Sequence, residues 1–531
     1  MNTIKKVKTV LLTLLVFAVF ALPAEIHEAA GKGDRQRVEE LLKKDPNLVN
    51  ARITGSEDGM AFRKTPLHFA AEAGHMDVVK LLIEYKADVN SRTAFGFTPL
   101  HFAALQGRKA AAELLIAKKC KLDARNTFNI TPIFLAASRG HMEIVELLLS
   151  KGMDINTKGN NGMTLLHAAA LGGSVSAALS LSEKGMNVNA QNIFGKNPMH
   201  FAAAEGHKGV VELLTAKGAK LDSKSLDGST ALHSAAAGKH DRIVEFLKSK
   251  GADTKPRQFP VLKGKYLGQK KPGKTPEIFA PGIVSTDGGE FAGIFSPDHK
   301  EFYFTRSGGE KRLKTNTILV TKVVNGDWTE PETASFSGQY FDFEPFISPD
   351  GKKLYFGTMR PLEGEGKQGG LQQWYMERST AGWNKPKPLS GPFSGKVVIY
   401  LTAAANGNLY FSSRGGIYVS VYKDGKYQKP RQLSEETVNV FSYTAHPFIA
   451  PDESYLIFDA HPYGMYSDLF VCFRKKDGTW TRARKFDSRV NSAESEMCPS
   501  VSPDGKYFFF ARSKNIYWVD AKIISALKPR K

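Results

Sequence analysis

Cysteine is scarce: Cys120, Cys472 and Cys498 are the only three in 531 residues. That is too few for disulfides to hold an exported chain of this size, so stability has to come from packing. Cys472 and Cys498 would pair only if neighbouring sheets brought them together, and both are read as buried thiols. Long apolar runs are nearly absent too. One stretch of about 13 residues, Val10 to Leu22, follows Lys5, Lys6 and Lys8 and precedes Pro23 and Ala24. It is shorter than the ~20 residues a membrane-spanning helix needs, and its layout is that of a secretory signal peptide. Cleavage fits after Ala21 or Ala24, and no cysteine stands nearby to accept a lipid. The expectation is a periplasmic or secreted protein that is not integral to the membrane once residues 1–24 are removed.

Catalytic signatures are missing as well. There is no strained nucleophile elbow, no glycine loop built to cradle phosphates and no zinc-type Cys/His spacing. No catalytic residue, metal or cofactor is therefore expected, and the chain reads as a non-enzyme. Charge is lopsided, with 73 Lys+Arg against 53 Asp+Glu for a net +20, yet the basic residues are spread out. Their densest stretch, Lys255 to Lys274, is rich in Pro and Gly and reads as a solvated linker over 255–275. No nucleic-acid-binding fold signature accompanies it, so nucleic acid is not an expected partner.

What the chain does have is repetition. Thr65-Pro66-Leu67-His68 recurs as Thr98-Pro99-Leu100-His101 and Thr131-Pro132-Ile133-Phe134. It continues as Thr164-Leu165-Leu166-His167, Asn197-Pro198-Met199-His200 and Thr230-Ala231-Leu232-His233, each step being 33 residues. An apolar helical stripe follows in each unit, as in Val78-Val79-x-Leu81-Leu82, and glycines at 74, 140 and 206 supply left-handed stops. Period and tetrapeptide resemble the ankyrin repeat, which implies an all-α solenoid over 25–254. A further unit at Ile26 to Ala30 makes seven repeats. Its link to the next is about eight residues too long for the ruler, and Thr54 to Gly59 reads as an enlarged loop. Histidines in register are architecture, not ligands.

Three residues before each Thr lies the tip of a hairpin finger, a position that ankyrin proteins commonly use to touch partners. Here it holds Phe62, Phe95, Phe128, Asn161, Phe194 and Asp227. Four phenylalanines in register predict an exposed aromatic ridge for protein binding; the alternative is that the rings stack on one another or fold under the loops.

Beyond the linker the texture changes to short aromatic strands broken by turns. Phe295-Ser296-Pro297-Asp298, Ile347-Ser348-Pro349-Asp350, Ile449-Ala450-Pro451-Asp452 and Val501-Ser502-Pro503-Asp504 each precede an aromatic strand, and Ala405-Asn406-Gly407 is a degenerate fifth copy. Companion motifs at Pro276, Trp328, Trp383, Tyr427 and Trp480 interleave with them. The pattern resembles the Pro-Asp, WD-repeat-like β-propeller of TolB-like periplasmic proteins. It implies an all-β propeller over 276–531, five-bladed or six-bladed with one degenerate blade. The interleaving predicts that the first strand, near Pro276, completes the last blade.

At the start of the innermost strands lie Glu290, Asp342 and Glu496, and two residues further into their strands lie Glu344 and His446. Converging at the channel mouth, these side chains would take a small ligand or a cation, or would merely line a wet rim. The functional expectation is an exported, non-catalytic protein-binding scaffold with a cell-envelope or extracellular partner. The alternative is a carbohydrate-active or carbohydrate-binding propeller with an ankyrin targeting arm, in which Glu290, Asp342 and Glu496 form the acidic site. An exported effector aimed at host proteins is a third reading.

Overall fold

Each 33-residue interval folds into a pair of short helices, such as Pro66–Ala73 with Met76–Glu84 and Pro198–Ala204 with Lys208–Ala216. Seven such pairs run from residue 25 to Ser249. The computed structural model describes residues 25–53, 63–286, 288–308, 316–362, 370–380, 382–394, 397–462, 466–492 and 494–529. It divides into two units, up to Gln258 and from Phe259. The signal-peptide segment, residues 1–24, and the expected loop insert at 54–59 lie outside the described residues. Among those described, no helix is long and apolar enough to cross a membrane.

In the helical unit Thr65 stands at the helix N-cap and Pro66 in its first turn, and the histidine adds a reciprocal cap. The Thr65 backbone N–H donates to His68 Nδ1 at 3.1 Å, while His68 Nε2 faces the Phe97 carbonyl of the next finger at 3.0 Å. His101, His167 and His200 repeat both contacts. A second histidine series staples backwards: His75, His141, His207 and His240 reach the Gly31, Leu105, Leu171 and Ala204 carbonyls. Every junction but the one between the fourth and fifth repeats, where Phe134 and Ser174 stand in the histidine slots, is thus tied by a buried or half-buried imidazole, on top of an Ala/Leu/Val core. Gly74, Gly140 and Gly206 take φ of 85°, 78° and 78°, the left-handed region that glycine enters without a Cβ penalty.

The second unit is a ring of five antiparallel blades, with a two-stranded ribbon, Tyr422–Lys423 with Lys426–Tyr427, beside the third. The innermost strands are Glu290–Phe295, Asp342–Ile347, Ile399–Ala403, Thr444–Ile449 and Glu496–Val501, here blades 1 to 5. Each packs on the next, and the fifth packs on the first. The degenerate copy builds blade 3 normally: Asn406 Oδ1 accepts from the Asn408 N–H at 3.0 Å, as Asp298 does from Lys300. Five blades, not six, result. The ring closes as expected, because Glu277–Ile278 pairs with Asn515–Asp520 as the outermost strand of blade 5. This covers an edge that would otherwise be open to aggregation.

The stretch 255–275 is not the solvated linker its composition suggests. Leu262–Lys263 pairs with Asp327–Trp328, and Tyr266 and Leu267 are each only 3% exposed. Tyr266 packs edge-on against Phe295 of blade 1 and Tyr507 of blade 5, and donates to Asp504 at 2.7 Å. At the other end, the Lys255 carbonyl serves His233 and Arg257 pairs with Asp227. Three apolar residues, Phe259, Tyr266 and Leu267, outweigh the surrounding lysines because packing against the blade 5–blade 1 seam removes them from water.

Candidate functional site

In the helical unit the finger tips are held rigid before any partner arrives. Thr127 N–H donates to the Phe95 carbonyl, Ile193 to Asn161 and Leu226 to Phe194, at 3.0, 3.0 and 2.9 Å. Phe95 is 36% exposed and lies on Phe128 with ring centroids 5.9 Å apart and planes 28° apart. Stacking and exposure therefore coexist at this end. Phe194 does not join them: at 1% exposed it is buried, and Phe62 lies outside the described residues. In the last two fingers the residue before the tip turns outward instead, so Ile193, before buried Phe194, and Leu226, before Asp227, are 37% and 46% exposed. Sequence reasoning placed the ridge at one slot; it actually shifts by one residue along the fingers.

A second feature of the same fingers was missed. Positions 92, 125, 158 and 224 are Arg, Arg, Lys and Lys, all exposed, with Gln191 completing the 33-residue series. Arg52 donates to the Arg92 carbonyl at 2.7 Å, Arg92 to the Arg125 carbonyl at 2.6 Å, and Arg125 to the Lys158 carbonyl at 3.2 Å. The ruler that found the phenylalanines would have found this column of cations too.

In the propeller, the three acids at the strand starts are fully buried, and each is paired with an arginine of its own blade rather than with the others. Arg306 lies 2.7 Å from Glu290, Arg360 3.1 Å from Asp342 and Arg512 2.8 Å from Glu496. Hydroxyls of Thr286, Ser337 and Ser492 add to the three pairs. Burial lifts Glu290 and Asp342 above the ordinary carboxylate range and Glu496 to about 7, with the arginines opposing. A lone carboxyl shifted this way would suggest chemistry. The same lock in three blades reads instead as architecture that ties the first strand to the second.

Two residues on, the innermost strands share another feature. Ala292, Glu344, Tyr400, His446 and Cys498 all have positive φ, between 45° and 55°. In every blade the register with the second strand slips at or beside this residue. Such a β-bulge re-aims one side chain, and here five bulges point five residues at one another. Ala292, Tyr400 and Cys498 form one apolar cluster. His446 sits edge-on to Tyr400, 3.3 Å from Glu344 and 2.8 Å from Asp459. Burial alone would lower the imidazole, but Asp459 and Glu344 outweigh it and hold His446 well above its usual 6.5. The structure thus brings Glu344 and His446 together as expected, adds Cys498 and Asp459, and leaves Glu290, Asp342 and Glu496 to their arginines.

A cavity of about 540 Å3 opens at the strand-start end, lined by Phe291, Phe341, Met497, Arg512 and Lys514. At the Pro-Asp end a second, of about 280 Å3, is lined by Pro297, Pro349, Pro451, Pro503, Phe346 and Phe448.

The helical unit matches the ankyrin-repeat family model in three overlapping stretches, residues 26–126, 115–192 and 181–258. A serine/threonine-protein kinase, VIK, of Arabidopsis thaliana is 43% identical over 63 residues. That match covers 12% of this chain and spans only 13% of the kinase. The crystal structure of the human ASB11 ankyrin repeat domain aligns with 29% identity and a TM-score of 0.36, covering 44% of this chain and 98% of that one.

Proposed function

We propose that this ankyrin-repeat and propeller chain is an exported, non-catalytic scaffold whose fingers grip a partner protein in the cell envelope or outside the cell. The reading rests on one observation: rigid fingers that present Phe95, Ile193 and Leu226 to solvent beside a column of cations. Apolar side chains exposed in a line on a preorganised frame lose little entropy on contact, which is how interface anchors gain affinity. The column of Arg92, Arg125, Lys158 and Lys224 selects an acidic partner surface with apolar anchors, and steers its approach. The TolB-like likeness of the propeller adds a second platform, with the two cavities at its ends as places for a small ligand or another protein.

Affinity capture from the organism's own envelope fraction, using the mature chain as bait, tests this. Replacing Phe95, Ile193 and Leu226 together by Ser should abolish capture while the chain stays folded, with only a modest drop in melting temperature from the lost Phe95–Phe128 stacking. The triple change Arg92→Glu, Arg125→Glu and Lys224→Glu should weaken it and remove its salt dependence. A partner retained undiminished by both variants would end the proposal.

A further inference from the structure

The axial cluster contains more than an ion pair. A carboxylate oxygen of Glu344, a ring nitrogen of His446 and Cys498 Sγ all lie within 4.8 Å of one another. They come from blades 2, 4 and 5, and the bulge at each position is what turns the side chain to the axis. We propose that Glu344, His446 and Cys498 form a transition-metal site of the kind Zn2+ fills.

The donor set is the first reason. Thiolate plus imidazole selects zinc-like ions over Mg2+ and Ca2+, which prefer all-oxygen shells. Around tetrahedral zinc, bonds of about 2.0–2.3 Å place ligand atoms ~3.3–3.8 Å apart. The observed spread, up to 4.8 Å, is at most ~1 Å wider than that range.

Independent of the donor set, Glu344 is 6% exposed and its Oε2 has no hydrogen-bond partner among the described residues. A buried carboxylate oxygen left without a donor is costly, and a bound cation would satisfy it. The His446 surroundings point the same way. Nδ1 is engaged by Asp459 at 2.8 Å, leaving Nε2 turned to Glu344. An imidazole held by a carboxylate on one nitrogen and offering the other is the usual arrangement of a metal-binding histidine.

The frame is rigid as well. Glu344 N–H donates to Thr305 Oγ1 at 2.8 Å, His446 N–H to Ser412 Oγ at 2.9 Å, and Cys498 N–H to Asp459 at 3.3 Å. Each of these acceptors sits on the second strand of the preceding blade, so the ring itself positions the ligands. Tyr400 is not a ligand, since its hydroxyl donates to the Pro499 carbonyl at 2.8 Å. Three protein ligands leave the fourth position open, and the His446 side chain, 18% exposed, gives a route in.

The test uses the full mature chain, stripped with a chelator and then titrated with Zn2+ and, separately, Co2+. One Zn2+ per chain should bind, and Co2+ should give a thiolate-to-metal charge-transfer band. Cys498→Ser should remove the band and weaken Zn2+ at least about tenfold, Asp459→Asn should keep the band but weaken Zn2+ about 10–100-fold, and Cys472→Ser should change neither. Zn2+ should also raise the melting temperature of the wild-type chain, a readout that needs no variant to fold. Absence of stoichiometric Zn2+ uptake, or a Co2+ spectrum without a thiolate band in the wild-type chain, would overturn the proposal.

Discussion

Lowering the pH from 7 to 5 should strongly destabilise the ankyrin unit, and the cost can be worked out from four side chains. His68, His101, His167 and His200 are at most 1% exposed. In each, Nδ1 accepts the backbone N–H of the capping residue, so the neutral Nε2–H form is the one that fits. Burial pushes His68 down to about 3 and the other three to about 4, against an ordinary 6.5. The unfolded chain therefore takes up protons first as pH falls. The stability these groups contribute is complete above about 6.5 and drains away between there and about 4, or about 3 for His68. At pH 5 each histidine costs ~2 kcal/mol and the four together ~8 kcal/mol. Domain stabilities are themselves ~5–15 kcal/mol. At ~2–4 °C per kcal/mol, the far-ultraviolet helix signal should melt about 15–30 °C lower at pH 5 than at pH 7. Replacing His101 with Gln, which does not titrate, should shrink that difference by about a quarter. A shift under about 5 °C in the wild-type chain would refute the reasoning.

Two more perturbations probe packing. Phe279, fully buried, meets Phe509 and Trp518 of blade 5 and Phe302 of blade 1 at the closing seam. Phe279→Ala should cost about 3–5 kcal/mol, seen as a lower denaturant midpoint in tryptophan fluorescence, which reports the propeller since all 5 Trp lie there. In the ankyrin unit, a Cβ at residue 172 would sit 1.8 Å from the Ser138 carbonyl oxygen. Gly172→Ala should therefore destabilise the unit by at least about 1–3 kcal/mol by helix signal, whereas Gly152→Ala, in open space but at φ 95°, should show only the smaller backbone cost of about 1 kcal/mol.

Both architectures were legible from spacing because repeats are local. A helix pair or a Pro-Asp hairpin is specified within about 50 residues, and its neighbours repeat the instructions. Ring closure was legible for the same reason, since the companion motifs are out of phase with the hairpins by one strand. The linker was misread because composition counts lysines and prolines, whereas Tyr266 answers to a seam formed by residues far away in the chain. Phe194 was misplaced because register names the slot but not which of two adjacent side chains, Ile193 or Phe194, turns outward.

What the sequence determined by itself was the two periods, and through them the solenoid, the propeller and the architectural place of the repeated histidines. Tertiary structure decided which side chains meet. Glu344, His446 and Cys498 are 102 and 52 residues apart in order along the chain; strand register pointed Glu344 and His446 to one channel mouth, but nothing in the spacing marked Cys498 as their partner. Only the closing of five bulged strands around one axis brings them within 4.8 Å, because a bulge turns each side chain inward and the ring makes inward the same place for all of them.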